Sequence, residues 1–562
     1  MLRLLLAVLV AVSLANWTRG GEHFTTGEAV AAKYGVHEIA IAGDADVGNP
    51  FDSLVMVTFR PPTGDAHAKT VSAFYDGEGV WRARVYVSEA GEWQWSSQSA
   101  TNPELRGKSG RFRAVGSGLR GRLLPHPKNS RQWITEDGRF FLNLSDTAYF
   151  LLCSRDGNGE AVSDDDARRY VRDDVERGIT AVRCFVASGS SGFSEAAKQW
   201  TDWHFADETC SKLRLANLQQ TDRRLRLLLD EFPDVAVQLI LFPLEAYARD
   251  DRFWTALAPA QRERLLRNLV ARFAAYPQLQ WLVVNDAHFG EKFPNNNDLA
   301  REVGDYLQQH DVWQHPRSAG HARRVPFYFG GEDWATYVHI EHAHDLGALQ
   351  YGAYHAFGKP VFLGEDRYEQ DHGPRQDPRH MQYWQRRLFW AWLLSGGSAN
   401  YGGRWWVVQP YSETGERATA FHKRPAVTFT EALTGLDSVR VIRDYFEQRA
   451  IDLGAFEPEH GLVADAAGGK EAKSPRLMRR GADEFLIYHP NAESNEQLAQ
   501  PNPRMAAGIR LDLRKIEGNF AVEWCRAVDG LSQSGGELSG GDWRELVAPW
   551  SGEDVVVRLV RK

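Results

Sequence analysis

Leu282-Val-Val-Asn-Asp-Ala-His-Phe-Gly290 is an apolar run that stops abruptly at a carboxylate, Asp286. Pro360-Val-Phe-Leu-Gly-Glu-Asp366 does the same at Glu365, 79 positions after that aspartate. A continuous run of Val, Leu and Phe predicts a parallel strand buried on both faces. Parallel strands need helical crossovers, and in a barrel the polar residues at their C-terminal ends surround one mouth. In the competing reading, Asp286 caps a helix and Glu365 pairs with Arg367 or Lys359. Their matching positions favour a shared site.

The surrounding segments have the same strand-then-helix texture. A first strand is predicted at Phe140–Asp146, followed by a helix over 163–177 whose Ser163-Asp-Asp-Asp166 opening suits an N-terminus. Strands at 181–186, 235–242 and 279–285 alternate with helices at 221–232 and 259–276. A helix at 298–309 and a weak strand at 317–321 come next. Strands at 336–340 and 361–364 enclose a helical stretch at 345–357, before an aromatic helix at 381–394 and a short strand at 398–401. About eight such units in roughly 300 residues have the size of a (β/α)8 TIM barrel. A doubly wound sheet would want a Gly-rich phosphate turn after its first strand, and Asp146-Thr-Ala-Tyr149 offers none.

Alternating patterns flank this region. Leu54-Val-Met-Val-Thr-Phe59 and Trp81-Arg-Ala-Arg-Val-Tyr-Val87, separated by Gly-rich breaks, predict an N-terminal β-sandwich over 30–116. Glu484-Phe-Leu-Ile-Tyr488 and Asp554-Val-Val-Val-Arg-Leu-Val560 predict a C-terminal β-sandwich over 478–562, leaving 130–450 to the barrel. Met1-Leu-Arg3, the eleven-residue apolar stretch Leu4–Leu14 and Ser13-Leu-Ala15 predict a signal peptide over residues 1–15. The mature chain is then secreted or periplasmic, with no membrane partner, because the stretch is too short to span a bilayer. A retained anchor is the alternative. A net charge of −8 with no basic patch argues against a nucleic-acid partner. Cys153, Cys184, Cys210 and Cys525 show no paired spacing, so neither a disulfide scaffold nor a zinc site is expected from them.

The chain has 19 tryptophans, more than core packing requires, and flat pyranose faces stack on indole rings. Two carboxylates converging from different strands are the equipment for cleaving a glycosidic bond. Asp286 would protonate the leaving oxygen, Asn285 would hydrogen-bond a substrate hydroxyl, and Glu365 would attack from across the cleft. Arg183, pointing inward near Asp146, would hold that carboxylate ionised; a surface salt bridge is the bland alternative. His321, His339 and His342 cluster around strand ends, and His339-x-x-His342 with a distant carboxylate invites a zinc site. The spacing fits no HExxH helix, so the expectation is no metal and no cofactor, with these histidines and His288 contacting sugar. Trp405 and Trp406, after the last strand, and Tyr149, after the first, are candidate sugar platforms.

Asp137-Gly-Arg-Phe-Phe-Leu-Asn-Leu-Ser-Asp-Thr-Ala-Tyr149, Trp281-Leu-Val-Val-Asn-Asp286 and Lys359-Pro-Val-Phe-Leu-Gly-Glu365 together resemble the apiosidase-like glycoside hydrolases. The resemblance implies a barrel with an aspartate acid/base on the fourth strand, matched by Asp286, and a nucleophile on the seventh, matched by Glu365. It also implies a β-sandwich ahead of the barrel, and a C-terminal domain similar to one labelled collagen-binding. Tyr149 stands where the family commonly has Trp, and the loop at 187–216 is long.

The expectation is therefore an exported glycoside hydrolase acting on plant or algal polysaccharides, pectic ones included, by a two-carboxylate mechanism, retaining by preference. Inversion is the alternative should the carboxyl groups lie about 6.5–9.5 Å apart rather than about 5–5.5 Å. A non-catalytic carbohydrate-binding or adhesion protein would keep the aromatics but need no paired carboxylates. A zinc-dependent hydrolase would need its histidines to converge at about 2.0–2.1 Å from one ion.

Overall fold

The computed structural model describes residues 23–44, 48–157, 159–187, 203–243, 250–322, 327–341, 354–366, 378–403, 408, 434–469, 473–496 and 499–562. The expected signal peptide, His342, Trp405 and Trp406 lie outside the described residues.

A nine-stranded parallel sheet organises the middle of the chain and curls into a barrel. Leu144–Thr147, Ala181–Phe185, Ala236–Pro243 and Leu279–Asn285 pair in chain order. Ser398–Asn400 returns beside Leu144–Thr147, followed by Val361–Glu365 and Val338–Glu341. Arg317–Ser318 forms one edge and His321–Ala322 the other, although they adjoin in the chain. The Gly320 N–H donates to the Val284 carbonyl (2.5 Å), and Ala287 bridges to His321, so that short stretch touches both edges. All seven residues of Leu279–Asn285 are buried, as a strand covered on both faces requires.

The helices lie where the hydrophobic pattern predicts, with shifted ends. Asp164–Glu176 starts at a capping box in which the Ser163 side chain and Asp166 satisfy each other's backbone donors. Leu215–Glu231 begins six residues before the expected start, and an arginine, Arg214, stands at its N-cap where a short polar side chain would have marked the start. The expected weak strand at 317–321 is two short ones. The expected 336–340 strand is Val338–Glu341, reaching a residue further to include a buried glutamate. Of the helical stretch expected at 345–357, residues 345–353 lie outside the described residues.

Ahead of the barrel, residues 24–115 form a four-stranded and a five-stranded sheet. Beyond it, residues 457–561 form a six-stranded and a three-stranded sheet. Buried ion pairs lock these parts to the barrel. Arg84, on strand Val80–Tyr86, donates two hydrogen bonds to Asp222 of helix Leu215–Glu231, at 2.7 and 2.6 Å. Arg272 and Tyr276 also donate to Asp222, at 3.2 and 2.9 Å. Burial opposes ionisation of Asp222, but the Arg84 and Arg272 guanidiniums outweigh it and hold the carboxyl below its usual range. Arg386, on helix Pro378–Leu393, binds Asp554 at 2.7 Å, and the Tyr488 hydroxyl donates to the same carboxylate at 3.0 Å. Among the described residues no helix is long and apolar enough to cross a membrane.

Candidate active site

Two backbone irregularities at the strand ends build the site. Strand Leu279–Asn285 ends one residue before Asp286, whose φ of +52° is a left-handed conformation that Asp tolerates better than most side chains. Pairing resumes at Ala287 against His321, so Asp286 sits in an irregular stretch between paired positions, a device that re-aims a side chain. A second register shift falls between Ile340 and Glu341: Ile340 faces Leu363, but Glu341 faces Glu365, and Gly364 is skipped. The skip sets two carboxylates directly opposite each other, an arrangement that costs stability unless a cation sits between them.

Arg183 supplies that cation. It is fully buried, and its guanidinium binds Glu341 through Nη2 and Glu365 through Nη1, the latter at 2.8 Å. The Tyr149 hydroxyl donates to the same Glu365 oxygen, Oε2, at 2.6 Å. The other Glu341 oxygen, Oε2, accepts the Asp286 backbone N–H at 2.6 Å. One carboxylate oxygen from each of Asp286, Glu341 and Glu365 lies within 4.8 Å of the others. All three residues are buried. Three carboxylates this close together, two of them on one guanidinium, can hold a proton on one while another stays ionised.

His339 completes the floor. Its Nε2 lies 3.0 Å from Glu341 Oε1, and the Gln238 side-chain amide donates toward its Nδ1 at 3.3 Å. A ring accepting at Nδ1 and donating at Nε2 is neutral. Burial, then the Arg183 charge, push its pKa well below the usual histidine value.

Several expected site residues sit elsewhere or do other work. Asp146 does not meet Arg183. In the parallel register it faces Val182, while Thr147 faces Arg183, so the period of two turns Asp146 to the other face of the sheet. There it accepts the Tyr170 hydroxyl at 3.0 Å and the Gly402 N–H at 2.8 Å. Tyr149 is not an open platform: its ring stacks on Phe185, centroids 4.6 Å apart, and its hydroxyl holds Glu365. Asn285 is wholly buried beside Asp286, and its Oδ1 has no hydrogen-bond partner among the described residues. His321 Nδ1 is likewise unpartnered, and burial followed by the nearby His288 lowers its pKa to about 4. His288 is half-buried against Phe293. Among the described residues, no histidine joins two other donors close enough for one metal ion.

Glu341 was not among the expected residues. Val338-His-Ile-Glu341 is a third strand ended by a carboxylate, but His339 breaks its apolar run and weakens the signal that marked Asp286 and Glu365.

A family model described as "Apiosidase-like, catalytic domain" matches residues 127–451, which contain every side chain of this cluster. A second, "Domain of unknown function (DUF5060)", matches residues 30–100. No curated protein matches the chain. Among solved structures, a candidate glycoside hydrolase from Bacteroides vulgatus is 16% identical, covering 96% of this chain and 100% of its own, with a TM-score of 0.67. A family 5 glycoside hydrolase from the same organism is 15% identical, covering 79% and 94%, with a TM-score of 0.59. Another structure, described as a glycoside hydrolase, is 14% identical, covering 79% and 97%, with a TM-score of 0.58. Likeness at such low identity shows a shared fold and no more.

Proposed function

We propose, from the premise that the chain belongs to the apiosidase-like catalytic-domain family and is a glycoside hydrolase, that it works by a two-carboxylate retaining mechanism. Asp286 is the acid/base and Glu365 the nucleophile. The observation that carries this is their spacing, with a carboxylate oxygen of each within 4.8 Å of the other. Retaining enzymes hold the two groups about 5–5.5 Å apart, and inverting ones need about 6.5–9.5 Å to fit a water.

In the first step a Glu365 oxygen bonds to the anomeric carbon while the bond to the leaving oxygen breaks, and Asp286 gives that oxygen its proton. In the second, Asp286 takes a proton from water, whose oxygen bonds to the anomeric carbon as Glu365 leaves. Arg183 and Tyr149 both bind Oε2 of Glu365, so attack falls to Oε1. Asn285, His288 and His321 are the substrate-binding groups, two of them with unspent hydrogen-bonding atoms beside Asp286.

The proposal extends to the whole chain. Counting residues 317–322 as one strand makes a (β/α)8 barrel, set between β-sandwiches at 30–116 and 478–562. Residues 1–15 direct export, and the substrate is a plant or algal polysaccharide, pectic ones included. Tyr149 in place of the family's common Trp leaves the sugar itself to a screen.

That screen measures reducing-sugar release from plant and algal polysaccharides and hydrolysis of a panel of aryl glycosides. Glu365→Gln should abolish turnover of every substrate found. Asp286→Ala should lose about 10²–10⁴-fold on natural glycosides. It should spare the first step on glycosides of acidic phenols, with azide rescuing the second. Near-native rates for Asp286→Ala on a natural glycoside would defeat the assignment.

A further inference from the structure

Glu341 has no role in the chemistry above, yet Arg183, His339 and Asp286 all converge on it. Its Oε1 is approached by the Arg183 guanidinium and by His339 Nε2, and its Oε2 accepts the Asp286 N–H. The fold makes room for it. A methyl carbon on Gly320 would stand 2.5 Å from Glu341 Oε1 and 2.7 Å from the Val284 carbonyl oxygen. Only glycine lets the carboxylate pass between these strands. His339, which presses against it, is held neutral and so offers a donor but no charge.

We propose that Glu341 is the positioning residue for Asp286, fixing the left-handed turn through the Asp286 N–H while presenting Arg183 to Glu365. A left-handed non-glycine residue persists only when its surroundings over-determine it. One determinant here is a charge-assisted hydrogen bond of 2.6 Å from the Asp286 N–H to a buried carboxylate. The carboxylate cannot turn away, because its other oxygen is tied to Arg183 and His339. This inference rests on the proposed roles of Asp286 and Glu365.

Glu341→Gln separates the two tasks. The glutamine oxygen satisfies Arg183 and His339 together, which leaves its NH₂ facing the Asp286 N–H, donor against donor. The Arg183–Glu365 pair is kept and the turn at Asp286 loses its acceptor. The experiment compares kcat/KM on phenyl and dinitrophenyl glycosides of the sugar identified by the screen, with Asp286→Ala measured alongside. A misplaced general acid matters only for the poor leaving group. Glu341→Gln should therefore lose about 10²-fold on the phenyl glycoside. On the dinitrophenyl glycoside it should stay close to the unmodified enzyme. A merely structural role would lower both rates equally, and that result, or an undiminished phenyl rate, overturns the proposal. Where Glu341→Gln does not fold, Glu341→Asp decides. It keeps the buried charge opposite Arg183 but is one methylene too short to reach Asp286 as well, and should give the same selective loss. If Asp286→Ala itself shows no leaving-group dependence, the acid assignment has failed and the Glu341 proposal falls with it. If Asp286→Ala shows it and the Glu341 variants do not, only the Glu341 proposal fails.

Discussion

Gly320→Ala changes no ionisable group and no hydrogen-bonding side chain, yet it should cripple the enzyme. The new methyl would stand 2.5 Å from Glu341 Oε1, 2.7 Å from the Val284 carbonyl oxygen and 2.8 Å from Asn285 Cα. Ordinary van der Waals contact begins at 3.4 Å, so these atoms must retreat by about 0.6–0.9 Å. Two of the three belong to the backbone of a strand buried along its whole length, which leaves little slack. The Gly320 N–H to Val284 carbonyl bond of 2.5 Å ties the strands together at that point. Overpacking of this kind costs about 1–3 kcal/mol. A misplacement near 1 Å at a reacting group costs up to about 10²-fold in rate. The displaced residues directly precede Asp286, so kcat/KM on a natural glycoside should fall about 10–100-fold, with a lower melting temperature. Gly331→Ala is the control: nothing lies within 4 Å of its added carbon, and it should behave as the natural protein does. Near-native turnover by Gly320→Ala would refute the close packing inferred between Gly320, Glu341 and the strand bearing Asp286.

Asp222→Asn removes the charge that Arg84 and Arg272 share at the junction of the N-terminal sheets and the barrel. It should destabilise the protein by about 3–5 kcal/mol in urea titrations, and a change within error would show that the junction carries no stability. Arg183→Lys replaces a planar fork with a point charge that cannot serve Glu341 and Glu365 together. Activity should drop at least about 10²-fold on every substrate, leaving group notwithstanding. Stability should also fall with pH between about 6.5 and 4. Burial lowers His23, His204, His321 and His460 to about 4, so in that window the unfolded chain binds protons the folded one refuses. Each such histidine contributes on the order of 1 kcal/mol per pH unit. Asp222 and Asp311 are held low, so their stabilisation is lost only as pH falls below the usual carboxylate range, where it adds to the fall. A melting temperature flat from pH 6.5 to 4.5 would contradict the buried neutral histidines.

The placement of Asp286 and Glu365 at the ends of buried strands was legible in the sequence because each interrupts an apolar run, and a buried strand leaves a carboxylate no place but its end. The Ser163 cap was legible for a similarly local reason. Glu341 also closes its strand, but the strand was expected to stop at Ile340. Its position opposite Glu365 depends on a register shift at Gly364, which no local pattern encodes. The expected Arg183–Asp146 pair failed on parity. Both residues lie on strands of the barrel sheet, but only the pairing of Asp146 with Val182 shows that they face opposite ways. Tyr149 lies past its strand's end, and its contact with Glu365 spans 216 positions, beyond what spacing alone can predict.

The most direct test of the two-carboxylate account is to trap the glycosyl-enzyme with a slow fluorinated glycoside bearing an activated leaving group, then locate the adduct by peptide mass spectrometry. The account predicts one sugar per chain, on the peptide containing Glu365, formed also by Glu341→Gln and absent from Glu365→Gln. An adduct on Glu341 or Asp286, or a product of inverted configuration with no adduct, would contradict it.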